Sequence, residues 1–104
     1  MTTATTWRAQ PSCRLTELPD ETGVILHLDK KFYFTLNAAA VVVWKRLADR
    51  AVVDADKTAE ALAAHLTTVF EVDEPTARAD VDALLDELQR EGLVVDGGAP
   101  GRTP

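Results

Sequence analysis

The feature that most narrows what this chain can fold into is a change of hydrophobic period at Leu36-Asn37. Before it, apolar and other residues alternate, the two-residue repeat of a strand with one face toward a core. Behind it, Ala40, Val43, Trp44 and Leu47 recur at helical spacing, and Asn37 is a good N-cap because its short side-chain carbonyl can accept from the free amides of a first turn. Alternation in Cys13 to Leu18, turn chemistry in Pro19 to Gly23, alternation again through Val24, Leu26 and Leu28, and a tight connection at Asp29-Lys30 predict a three-stranded antiparallel meander ending in Lys31 to Leu36.

Three helices are predicted to follow. The first runs to about Arg50. The second starts near Thr58 and carries Leu62, Leu66, Val69 and Phe70 on its apolar stripe. The third opens at Asp73-Glu74-Pro75, faces the core through Ala77, Val81, Leu84, Leu85 and Leu88, and ends at Gly92, with Leu93-Val94-Val95 tucking back behind it. Strands followed by helices predict an α+β domain with the helices on one face of a small sheet. The Thr-rich stretch 1–12 and the Gly/Pro-rich stretch 96–104 are read as flexible tails around a domain at 13–95.

Charge bears on the partner. The net charge of −6 is unevenly spread: residues 1–50 hold seven basic and five acidic side chains, a balance of +2, and residues 51–104 hold four and twelve, a balance of −8. Nucleic acid binding draws on Lys and Arg against phosphates, so this distribution argues against it. No CxxC or Cys/His cluster offers a zinc site, and one cysteine, Cys13, forms no internal disulfide. The longest apolar run, Ala38 to Trp44, is too short to span a bilayer, and a cytoplasmic protein is the expectation.

No catalytic set assembles from these residues. His27 and His65 stand apart from any Cys or Ser at a catalytic spacing, and the glycines at 97, 98 and 101 lack the flanking strand, helix and Lys-Ser/Thr of a phosphate loop. Asp80, Asp82, Asp86, Glu87 and Glu91 point in several directions around one helix and read as its solvated side. No catalytic residue, metal or cofactor is expected. What remains is surface: a sheet this small has exposed edges, and an edge pairs with extended segments while neighbouring pockets select side chains. Tyr33, on the face opposite Phe32 and Phe34, is the better surface candidate, whereas Trp44 reads as core.

Leu36-Asn37-Ala38-Ala39-Ala40-Val41-Val42-Val43-Trp44 resembles the LN-x-x-A-x-x-[IV]-W motif joining the last strand to the first helix in PqqD-like proteins. The Thr58 helix start with Leu62 and Leu66, Phe70 to Asp73, Asp80-Val81 with Leu84, Leu85 and Leu88, and Glu91 to Val94 follow in the same order, so the resemblance covers about residues 13–95. It implies a winged helix-turn-helix-like domain that recognises the leader of a ribosomally made, post-translationally modified peptide. The leader would add as a strand against Lys31 to Leu36, in a cleft closed by the third helix. Carried onto this chain, the implied contacts are Lys31, Phe32, Tyr33, Phe34, Thr35, Arg78, Val81, Asp82 and Leu85. Members serving quinone-cofactor synthesis often have a tighter, Gly-containing connection after the first helix. Here Asp49 to Lys57 is longer and Gly-free, which resembles more the stand-alone recognition proteins of lasso-peptide systems, partnered by a cysteine-protease-like leader peptidase and a cyclase resembling asparagine synthetase. The alternatives are a winged-helix DNA-binding regulator and a chaperone partner of a radical SAM enzyme.

Overall fold

The computed structural model describes residues 6–96. Strands β2 (Cys13–Glu17), β3 (Gly23–His27) and β4 (Phe32–Leu36) form the expected antiparallel meander in the order β2-β3-β4. Helices α1 (Ala38–Ala48), α2 (Ala59–Val69) and α3 (Glu74–Arg90) follow. Each helix starts on the residue type its first turn needs. Asn37 Oδ1 accepts from the Ala40 amide at 2.8 Å, Thr58 Oγ1 from Ala61 at 3.1 Å and Asp73 Oδ1 from Thr76 at 3.3 Å, so each cap satisfies an amide the helix leaves unpaired. Hydrogen bonds from Thr76, through its side chain and then its amide, hold the Asp73 carboxyl below the usual carboxylate range.

Two features lie outside the sequence expectation. Trp7–Ala9, inside the stretch read as an N-terminal tail, form a strand, β1, that pairs antiparallel with β5 (Val94–Asp96) in the register Trp7↔Asp96, Arg8↔Val95, Ala9↔Val94. The ordered domain therefore reaches beyond 13–95 at both ends. Three-residue strands carry too little periodicity to announce themselves, and β1 is held by a partner nearly ninety positions away. Of the two expected tails, residues 1–5 and 97–104 lie outside the described residues. The connection between α1 and α2 also contains a short 3-10 helix, Asp54–Lys57.

The core lies between the sheet and the helices. It is built from Ile25 and Leu36 of the sheet, Val43, Trp44 and Leu47 of α1, Leu62 and Leu66 of α2, Val81, Leu85 and Leu88 of α3, and Leu93 and Val94 behind it. Burying each such side chain contributes about 1.5–3 kcal/mol. On β3 the inner face is Gly23, Ile25 and His27, leaving Val24 and Leu26 half-buried on the outer face and Leu28 exposed beyond the strand. Alternation alone does not say which set is inside when both are apolar. The register does: Ile25 lies opposite Phe34 and His27 opposite Phe32. Gly23 sits where sheet and α1 approach closely, since a Cβ there would come within 2.8 Å of Leu15 and 2.9 Å of Val41. Gly92 closes α3 at φ 76°, a left-handed conformation that glycine adopts without steric cost.

Candidate functional site

β4 bonds to β3 on one side only, so its other edge carries backbone N–H and C=O groups with no strand partner among the described residues. Its side chains divide as the alternation requires. Phe32 and Phe34 pack against the core from the inner face, while Lys31 in the preceding turn, Tyr33 and Thr35 are exposed. Tyr33, 71% exposed, is the most open of the large apolar side chains described. Phe32 is fixed further by stacking on the His27 ring, with centroids 5.6 Å apart and planes inclined by 24°.

Where β4 ends, a groove of about 280 Å³ begins between the start of α1 and one flank of α3. Asn37, Ala39, Ala40 and Val43 form one wall and Asp80, Ala83, Leu84 and Glu87 the other, with Leu66 and Val81 beneath. The small side chains Ala39, Ala40 and Ala83 leave the space. Leu84 is half-buried and presents an apolar surface to it, and the exposed carboxylates of Asp80 and Glu87 stand one turn to either side.

The opposite flank of α3 borders a second groove of about 320 Å³, shared with Trp7 and with Thr58, Ala59 and Glu60 at the start of α2. Here lie Arg78, Asp82, Leu85, Asp86 and Gln89. The contacts inferred from the sequence on α3 are thus divided. Val81 lies beneath the β4-side groove, Arg78 and Asp82 belong to the other flank, and Leu85 is 2% exposed and part of the core. Steps of three, four and seven keep residues near one side of a helix, but at about 100° per residue Asp80 and Asp82 are roughly 160° apart. The stripe through Val81, Leu85 and Leu88 says only which side is buried. Asp80, Ala83, Leu84 and Glu87 form their own three-, four- and seven-residue pattern, the signal that was available for the groove side.

The profile described as Coenzyme PQQ synthesis protein D (PqqD) matches residues 22–94, more than two thirds of the chain. The chain belongs to the PqqD family. No curated protein sequence matches it. Among solved structures, the domain is similar to TbiB1 in complex with the TbiA(beta) leader peptide, with 23% identity and a TM-score of 0.67 over 93% of this chain and 99% of that one. It is similar also to lasso peptide synthetase B1 complexed with the leader peptide, again with 23% identity and a TM-score of 0.67, over 86% of this chain and 98% of the other. This PqqD-family domain therefore shares their fold along nearly its whole length.

The remaining chemistry-bearing residues are occupied structurally. His27 is buried, and its Nδ1 accepts from the Lys30 amide at 3.2 Å, closing the β3–β4 turn. His65 is half-buried on α2; burial, and secondarily the Arg46 guanidinium, hold its pKa below the ordinary histidine value. Burial pushes the Cys13 thiol up, away from the thiolate a nucleophile needs. Among the described residues no group of three His, Cys, Asp or Glu side chains converges to hold a metal ion, and no helix is long and apolar enough to cross a membrane.

Proposed function

We propose that this PqqD-family domain is a non-catalytic holder for the leader segment of a ribosomally made precursor peptide, which it presents to the enzymes that modify the peptide. The observation that carries the reading is the meeting of two complementary features: an unpaired strand edge on β4 and, beginning where that strand ends, a groove with an apolar floor. An edge supplies hydrogen bonds to any extended backbone, and a pocket beside it selects a side chain. In this reading the leader pairs along Lys31 to Thr35, with Tyr33 beside it, and inserts an apolar side chain over Val81 against Leu84. Asp80 and Glu87 favour a leader with Lys or Arg flanking that anchor. The two similar structures were solved with leader peptides, which supports the same mode here. A cysteine-protease-like leader peptidase and an asparagine-synthetase-like cyclase are the proposed recipients.

The DNA-binding alternative is disfavoured by the third helix. Its two arginines are each paired with a carboxylate one turn on, Arg78 with Asp82 at 3.1 Å and Arg90 with Asp86, and the surrounding exposed residues are acidic. A duplex approaching this face would meet net negative charge.

The test is a titration of isotopically labelled protein with the leader of its cognate precursor. Amide shifts are expected in Lys31 to Leu36 and in Asp80 to Glu87. Shifts confined to α2 and the Trp7 groove would refute the docking mode. Turnover of the precursor by the purified domain alone would refute the non-catalytic role.

A further inference from the structure

The turn that leads into β4 is fixed from two strands at once. The Lys31 amide donates to the His27 carbonyl at 2.6 Å and the Lys30 amide to His27 Nδ1 at 3.2 Å, while Asp29 accepts from Ser12 Oγ, ahead of β2, at 2.6 Å. In this frame Lys31 is held at φ 56°, in the left-handed region that a residue with a Cβ enters at a cost and that glycine or asparagine occupies more readily. Residues kept in such a conformation by their surroundings collect at functional positions. Here the frame sets an exposed lysine immediately before the unpaired strand edge.

The same turn meets the end of α3. A Cβ on Gly92 would lie 2.8 Å from Lys30 Nζ, so the Lys30 ammonium rests against the C-terminal end of the helix, where free carbonyls attract positive charge. β4 therefore starts beside the end of α3 and finishes beside the groove walled by Asp80 and Glu87. The two ends carry opposite charge. Lys30 and Lys31 stand at the start, Asp80 and Glu87 at the finish, all four exposed and none in an ion pair among the described residues. Asp29 is bonded to Ser12, and neither it nor Glu91, beside Gly92, pairs with the two lysines. Lys30 is partly answered by the helix end; Lys31 is the cation left for an incoming group.

Resting on the reading that a leader pairs with β4, we propose that Lys31 is a specificity-determining residue that selects an aspartate or glutamate of the leader beside the start of that strand. The strand pairs described in this chain are antiparallel, the more stable ladder, and a leader added in the same way runs from the groove toward Lys31. From Leu84 to the helix end at Gly92 the rise is about 12 Å, which an extended chain covers in about four residues. The substrate class is a leader with Lys or Arg flanking an apolar anchor and a carboxylate about four residues C-terminal to that anchor. The opposite charges also fix direction, since a leader entering reversed would set like charge against like at both ends.

The experiment is fluorescence anisotropy of the full chain at low salt with two synthetic versions of the cognate leader, carrying either Glu or Lys at the fourth and fifth residues after the anchor. The anchor is the apolar residue whose replacement by Ala costs the most affinity. The Glu version is expected to bind about three- to five-fold more tightly than the Lys version, and in Lys31→Glu the order should reverse. In Lys31→Gly, which relieves the left-handed conformation, both peptides should still bind and the preference should vanish. A purely structural role for Lys31 would move both peptides together. The proposal is overturned if the two versions bind the unaltered chain equally, or if their order survives Lys31→Glu. Either result leaves leader binding at β4 standing so long as amide shifts fall in Lys31 to Leu36; absence of those shifts overturns that docking mode, and the role of Lys31 with it.

Discussion

The two flanks of α3 are built from the same kinds of residue and do different things. One carries Asp80, Ala83, Leu84 and Glu87 and faces the start of α1, the other Arg78, Asp82, Asp86 and Gln89, facing Trp7 and the start of α2. On the second flank the charges answer one another, Arg78 with Asp82 and, further along, Arg90 with Asp86. On the first, Asp80 and Glu87 have no ion pair among the described residues, and an apolar side chain lies open between them. Charges that are paired within their own helix are largely spent on it; charges left around an apolar opening are free to select what enters. Under the proposed leader-binding reading, the difference favours the α1 side and predicts that substitutions one or two residues apart on α3 will separate into distinct phenotypes.

The largest effect is expected between the flanks. Leu85→Ala removes a 2%-exposed core side chain and should cost about 2–5 kcal/mol of stability, read as a lowered denaturation midpoint. At temperatures where the variant stays folded, leader affinity should be little changed; a selective loss of binding in a fully stable Leu85→Ala protein would move the groove to the wrong side of the helix. Next comes Leu84→Ala, on the open face of the groove. It should weaken leader binding by about 1–2 kcal/mol, roughly ten-fold, with a smaller change in stability.

A smaller effect is expected from Asp80→Asn and Glu87→Gln together. Both side chains are exposed, so each contributes a few tenths to about 1 kcal/mol at most, and the pair should lower affinity a few-fold for a leader with flanking Lys or Arg. The loss should shrink as salt is raised and disappear for a leader whose basic residues are replaced by Gln. An unchanged affinity at low salt would remove the two carboxylates from the recognition surface. Smallest of all is Asp82→Asn on the far flank, where neither leader affinity nor its salt dependence should move measurably by calorimetry. A clear loss there would erase the distinction between the flanks.

Most of the scaffold could be read directly from the residues, and for identifiable reasons. The change of period at Leu36-Asn37, the caps Asn37, Thr58 and Asp73, Pro75 in the first turn of α3 and the left-handed Gly92 are all local signals, set by steric and hydrogen-bonding demands that span four or five residues. The core residues Trp44, Leu62, Leu66, Val81 and Leu88 follow from the same periodicity, and the edge strand that begins the candidate site follows from the meander.

What only the tertiary structure decided are relations between distant segments. That Ile25 and His27 rather than Val24 and Leu26 face inward depends on the register with β4. That Trp7–Ala9 form a strand depends on Val94–Asp96 arriving beside them. That Leu84 opens to a groove while Leu85 closes into the core depends on how α3 is rotated about its axis against α1 and α2, and adjacent leucines in a periodic stripe carry no record of that angle. Local chemistry determined which elements this chain makes; long-range packing, settled by the shapes of the buried side chains, determined which of their faces remained open.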